Sequence, residues 1–472
     1  MPTRATTAAS PAAEGFRVDP DRLERLWQRE TRHFVERHPR SAALAEQARA
    51  HYLFGVPMHW MRDWPLPFPV AVAEASGNRL RTVDGDELVD YCLGDSGAMF
   101  GHSPAPVATA IAQQAQRGLT AMLPAEAVAS VGRRLEDIFG LPQWQITLSA
   151  TDANRFALRW ARAVTGRPRV LVFDGCYHGT VDDSLVDLAE GDPQCPGGAR
   201  TVARASLLGQ VHDLALGTVV VPFNDLDAAR RALSAGNVAA VLTEPALTNC
   251  GLVLPRPSFL DGLQAACRAS GALLILDETH TLSQGWGGCT RAWGLEPDLL
   301  VVGKAVAGGL PCAVYGFTAG MASRMEAAKR AAPDGHSGIG TTLSGSLLAV
   351  AALEANLAEV MTRSTYDSML GQAADLQARL EAVLARFGLP WSITRLGARM
   401  ELQFCTPGPR DAVEARAAFD PALERALHLY QFNRGVLLTP FHNMLLVAPQ
   451  AGPADAARVA ANLGAFLDDV LS

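Results

Sequence analysis

LLILDETHT at residues 273–281 and PDLLVVGKAVAGGLP at residues 297–311 decide how the chain is read. Each begins as a short apolar run that reads as a buried strand. Each then delivers one reactive side chain where the run stops: Asp277 at the end of the first, Lys304 just past the second. Working outward, residues 170–173, 218–221, 239–242 and 300–302 have the same strand-like character, and residues 225–233 and 258–270 read as helices between them. Alternation of this kind predicts an α/β fold with a mostly parallel sheet covered on both faces.

The flanks read differently. Residues 1–15 are rich in Ala, Thr and Pro and are expected to be a disordered tail. Residues 19–49 read as one charged, alanine-rich helix, and 54–69 as irregular chain carrying Trp60, Trp64 and four prolines. A strand hairpin is expected around Val83-Asp84-Gly85-Asp86. Helices are expected over 104–117 and 125–139. Beyond Ser346 the alternation stops: 347–387 reads as almost all helix. Short strands at 399–404, 436–438 and 444–447 then mix with helices at 421–432 and 453–471. This closing stretch predicts a second, smaller α+β unit.

Bulk properties exclude several classes. With 472 residues, 49% hydrophobic and 19% charged, the chain can bury a large core. A net charge of -7 without a basic run gives no footprint for nucleic acid. No apolar stretch approaches the ~18 residues of a membrane helix, and residues 1–15 lack the apolar centre of a secretory signal. Eight cysteines form no C-x-x-C pair, which fits free thiols and a cytoplasmic location.

Lysine is scarce: of 41 basic residues only Lys304 and Lys329 are lysines. Apolar neighbours disfavour a charged ammonium at Lys304, and a neutral amine can form an imine with an aldehyde. The alternative is a strand-end lysine that reaches out to solvent. Asp277 stands where parallel sheets bind ligands and could pair with a protonated pyridine nitrogen. It could also cap a helix or bind a metal, although no spaced second ligand accompanies His280, and no metal site is expected. Ser149-Ala150-Thr151-Asp152 precedes a helix, where small residues expose N–H groups suited to phosphate, or simply cap it.

In order and spacing these motifs resemble the class III (subgroup II) aminotransferases, fold-type I enzymes that use pyridoxal 5'-phosphate (PLP). Among them the chain is similar to the glutamate-1-semialdehyde aminomutases and β-amino-acid transaminases. The resemblance runs from about Val56 to the C-terminus. It implies a large PLP-binding domain over 95–345 with a mostly parallel seven-stranded sheet. The smaller α+β domain would be built from both termini, 16–94 and 346–472. It implies a Schiff base and proton shuttle at Lys304, Asp277 on the ring nitrogen, and Tyr177 and Thr279 on the two ring faces with His178 beside them. Asn249 would meet the ring hydroxyl, and the amides of Ala150 and Thr151 the phosphate. The partner subunit's Thr342 would also reach the phosphate, which implies a homodimer with shared active sites.

Departures mark a divergent branch. Ala150 and Asp152 stand where the family has Gly and Glu, Thr279 where it has an aliphatic residue, and Gly345-Ser346-Leu347 replaces Gly-Asn-Pro. Candidates for the substrate side are Trp60, Arg62, Arg155 and Arg399, arginine being suited to bidentate recognition of an acidic group; the alternatives are a surface or structural role for each arginine and core packing for the tryptophan. The expected function is PLP-dependent transfer of an amino group from an amino acid or amine to a keto acid. The alternative is an aminomutase or ammonia-lyase on the same site. A non-catalytic sensor on this fold would carry a fused DNA-binding domain, for which the N-terminal region is too short and too weakly basic.

Overall fold

The computed structural model describes residues 18–189 and 200–471. The expected tail over 1–15 lies outside the described residues, as does Cys195. A seven-stranded sheet forms the centre. Its strands are β1 (Gln143–Thr147), β2 (Arg169–Phe173), β3 (Thr218–Val221), β4 (Val238–Thr243), β5 (Leu273–Asp277), β6 (Leu299–Val302) and β7 (Ala313–Phe317). They lie in the order β1-β7-β6-β5-β4-β2-β3. β7 runs antiparallel to both its neighbours, and the other pairings are parallel. The patterns around 170–173, 218–221, 239–242, 273–276 and 300–302 each became a strand.

Why these runs become strands is visible in their burial. β4, β5, β6 and β7 are buried at every position. Successive side chains point to opposite faces, so both faces are covered. Each Val, Leu or Ile removed from water here contributes about 1.5–3 kcal/mol. The consequence for function is topological: the C-terminal ends of β5 and β6 lie side by side, with Asp277 paired in register to Val301.

Two long helices were expected where the structure has breaks. Residues 19–49 form Pro20–Arg37 and Pro39–Ala48, separated at His38. Pro39 has no N–H to continue the first helix and suits the first turn of the second. Likewise 347–387 is divided into Leu347–Ala355, a wide turn at Asn356–Val360 and the helix Arg363–Phe387, which Thr362 caps through Thr365 N. Helices Arg363–Phe387 and Pro453–Leu471 share a second core with the antiparallel strands Ser392–Leu396, Arg399–Gln403 and Met444–Leu446. Val83–Asp86 turns between Arg79–Thr82 and Glu87–Asp90, and the latter pairs with Val436–Leu437. The N-terminal region is tied to the C-terminal one by buried Glu30, which meets Arg434 at 2.9 Å and Asn433 at 2.8 Å.

Candidate active site

β5 and β6 end at one cavity of about 350 Å³, lined by Ala150, Thr151, Tyr177, Glu244, Asp277, Thr279, His280 and Lys304 among others. Lys304 sits just beyond Gly303 with φ 49°, a left-handed conformation that costs a non-glycine residue about 1–3 kcal/mol. Close packing surrounds that bend: a Cβ on Gly303 would lie 2.8 Å from the Ala150 Cβ. The strained turn throws the lysine side chain across the mouth of the sheet. Its Nζ lies 2.6 Å from Asp95 Oδ2 and 2.8 Å from His280 Nε2.

Asp277 is buried and held from three sides. Oδ2 accepts from Asn154 Nδ2 at 2.7 Å and lies 3.0 Å from His178 Nδ1; Oδ1 accepts from Thr279 N at 3.0 Å. Burial pushes this carboxyl upward, but the His178 hydrogen bond and charge outweigh it, and it comes to rest lowered to about 2. Burial pulls His178 downward; the bond to Asp277 outweighs that and raises it to about 10. The two therefore form an ionised pair behind the cavity wall, so that Asp277 presents a fixed negative charge.

That pair makes stability depend on pH in a defined way. His178 holds a proton in the folded chain that it loses near 6.5 when unfolded. Its contribution is complete below that value and disappears as pH rises through about 10. The contribution of Asp277 is complete above its unfolded value of 3.8 and disappears as pH falls through about 2. Thermal unfolding of the full chain is expected to carry this pair's contribution in full between pH 3.8 and 6.5, where Glu244 and Glu424, both raised to about 7 by burial, add a slope of their own. Its alkaline decline should be shallower in Asp277→Asn, which lacks the pair; an equally steep decline would exclude it.

The third part of the site is the helix Ala150–Thr165. Ser149 caps it by accepting from Asp152 N at 3.2 Å. This leaves the N-terminal amides at Ala150 and Thr151 facing the cavity with the positive end of the helix dipole, a setting for phosphate. Thr151 Oγ1 accepts from Thr180 N at 3.1 Å, and Gly179 approaches so closely that a Cβ there would lie 2.1 Å from that hydroxyl. Thr279 carries a buried Oγ1 without a hydrogen-bond partner beside the cavity. An anion-binding helix end, a fixed carboxylate and an amine around one cavity fit the phosphate, ring nitrogen and aldehyde of PLP.

The remaining expected site residues divide. Tyr177 lines the cavity, whereas His178 acts from behind it through Asp277. Arg399 is 1% exposed and stands behind His280 rather than along the wall. Arg155 is on the outer face of its helix, 3.6 Å from Asp152. Trp60 and Arg62 occupy the exposed turn His59–Arg62, with Arg62 stacked 6.0 Å from the Phe54 ring. Asn249 is exposed and lines a neighbouring cleft with Glu401 and Gln403. Thr342 lies on an exposed turn. Asp95, Ser96, Asn154 and Glu244 were not singled out from sequence, and His280 was weighed only as a metal ligand. Among the described residues no group of three His, Cys, Asp or Glu could hold a metal ion. No described helix is long and apolar enough to cross a membrane.

This fold and site define a PLP-dependent enzyme of fold type I, and the chain belongs to the class-III aminotransferase family, whose model matches residues 61–451. It is 34% identical over 405 residues to a glutamate-1-semialdehyde 2,1-aminomutase of Nitratidesulfovibrio vulgaris (strain Miyazaki F), covering 85% of this chain and 90% of that one. To the enzyme of that name from Gemmatimonas aurantiaca it is 34% identical over 448 residues, 92% and 98% of the two chains. A crystal structure of a glutamate-1-semialdehyde-aminomutase from Pseudomonas aeruginosa superposes with TM-score 0.93 at 47% identity, covering 97% of this chain and 100% of that one. A lysine-to-alanine variant of that protein is solved in complex with PMP.

Proposed function

We propose that the protein is an aminotransferase that moves an amino group from an amino acid or amine to a keto acid, with Lys304 carrying PLP. The observation that supports this is the meeting of the Lys304 amine, the Asp277 carboxylate and the helix end at Ala150–Thr151 on one cavity. PLP supplies an aldehyde for the lysine amine and a ring that withdraws electrons from the bond to be broken. Asp277 would hold the ring nitrogen, the amides of Ala150 and Thr151 would hold the phosphate, and Tyr177 and Thr279 would flank the ring. Lys304 then takes a proton from the substrate carbon and returns it elsewhere. A second reading, an aminomutase or ammonia-lyase on the same site, is favoured by the names of the relatives. Mixing the enzyme with amine donors, with and without pyruvate or 2-oxoglutarate, tests the choice. Transfer requires the acceptor and yields a new amino acid; isomerisation or ammonia release without acceptor would overturn the aminotransferase reading.

We further propose a homodimer in which the partner subunit's Thr342 completes the phosphate site. Two exposed segments support it. Met122 and Leu123 are 78% and 72% exposed, and Leu343 is 48% exposed beside Thr342. The segments are linked where Leu348 N donates to Leu119 O at 3.1 Å. An apolar patch of this kind is costly unless covered. Thr342→Ala is expected to weaken PLP binding by about tenfold, as for loss of one hydrogen bond to a charged group. Met122→Glu is expected to dissociate the dimer in sedimentation. Unchanged PLP affinity in the first and an unchanged mass in the second would contradict the proposal.

A further inference from the structure

Asp95 and His280, from two separate segments, close on the Lys304 amine with Arg399 behind His280, and their donor and acceptor chemistry assigns the protons. A guanidinium donates and cannot accept. Arg399 Nη2 donates to His280 Nδ1 at 2.9 Å, so this ring nitrogen is the acceptor. Burial, the largest cause, pushes His280 well below its usual value; the charges of Lys304 and Arg399 act in the same direction and that of Asp95 against them, and the imidazole is neutral. A neutral imidazole carries one proton, which here belongs on Nε2. Nε2 faces Lys304 Nζ at 2.8 Å, and an N–H aimed there needs a free electron pair on Nζ. Nζ in turn donates to Asp95 Oδ2 at 2.6 Å.

The surroundings hold this chain of contacts in place. Ser96 Oγ accepts from the same guanidinium nitrogen and lies 3.0 Å from His280 Nδ1. Asp95, Ser96 and Lys304 all have left-handed backbone, with φ of 49°, 77° and 49°. Three strained non-glycine residues at one point persist only where surrounding contacts over-determine them. Arg399 is 1% exposed, and its Nε and Nη1 find no hydrogen-bond partner. Its charge is therefore poorly screened and acts on its neighbours.

We propose that Arg399, through the Nε2–H tautomer of His280, keeps an electron pair free on the Lys304 amine while Asp95 opposes it by favouring the ammonium. Together the two set how readily Lys304 attacks an aldehyde at neutral pH. This rests on the proposed role of Lys304 and makes Asp95, His280 and Arg399 positioning residues. The other ionisable groups that feel these charges are Cys92, Tyr177, Glu244, Asp277, Glu401 and His442.

The test follows capture of PLP by the cofactor-free full-length chain as growth of visible absorbance between about pH 6 and 10. Capture joins Nζ to the aldehyde carbon and releases water, so it needs the free electron pair. Asp95→Asn is expected to lower the pH of half-maximal capture by about one unit and Arg399→Met to raise it by about one unit. Pyridoxamine 5'-phosphate has no aldehyde and should bind both variants within about threefold of wild type, reporting an intact cradle. Midpoints that move in the same direction, or by less than about 0.3 unit, overturn the proposal. If Arg399→Met fails to bind pyridoxamine 5'-phosphate, the ring ¹⁵N shifts of His280 in the wild-type chain decide. A proton on Nε2 supports the proposal and a proton on Nδ1 overturns it. Lys304→Ala separates the two layers: wild-type absorbance in that variant would remove the role of Lys304 itself, whereas its loss alongside unmoved midpoints removes only this proposal.

Discussion

Lys304→Ala is expected to abolish the visible absorbance of bound PLP and to reduce turnover with every amine donor by at least about 10³-fold, the scale of a lost nucleophile and general base. No other amine can substitute. Lys329, the remaining lysine of the chain, lies in the helix Ala319–Ala331, away from the cavity lining. The variant should still fold, because the Lys304 side chain is 29% exposed and its removal leaves no sealed void. It also releases Asp95 from its 2.6 Å contact. Affinity for pyridoxamine 5'-phosphate, which the proposed cradle assigns to the helix end and Asp277, is expected to survive. Loss of absorbance together with that affinity would mean the cradle had collapsed, and turnover within about tenfold of wild type would remove Lys304 from the chemistry.

Asp277→Asn should be nearly as damaging for a different reason. The amide keeps the shape but cannot offer a negative charge to the ring nitrogen, and the expected loss is about 10²–10³-fold in kcat. A structural penalty accompanies it. His178 would be left as a buried cation without its carboxylate, and breaking a buried pair from one side costs about 3–5 kcal/mol. The variant therefore separates two effects. Lower thermal stability reports the His178 pair, whereas a kcat loss in enzyme saturated with PLP reports the ring contact. A destabilised variant with wild-type kcat would show that Asp277 is a structural residue only.

What the sequence revealed about this site follows from where each residue lies. Asp277 and Lys304 were legible because each terminates an apolar run, so strand pattern and chemistry coincide within a few residues. The turn at Ser149–Asp152 was legible as a helix start for the same local reason. Asp95, Ser96 and His280 were not, because their role exists only when three segments and buried Arg399 converge. Gly94 and Gly97 flank the pair, but the left-handed backbone at Asp95 and Ser96 is carried by non-glycine residues that a turn signal does not single out. The antiparallel direction of β7 was hidden too: a short apolar run carries no sign of its orientation. The break at His38 was masked by the charge-rich helical pattern on both sides of Pro39. Asn249 and Thr342 entered through resemblance alone. Within one chain the fold places Asn249 in the cleft beside Glu401 and leaves Thr342 exposed.

Covalent attachment of PLP to Lys304 can be read from a single chemical trapping experiment. The PLP-loaded enzyme is reduced with borohydride, digested, and its peptides are weighed. With only two lysines in the chain the answer is unambiguous. A phosphopyridoxyl group is expected on the peptide containing Lys304 and none on that containing Lys329. A label on Lys329, or no label in enzyme that shows turnover, would contradict it.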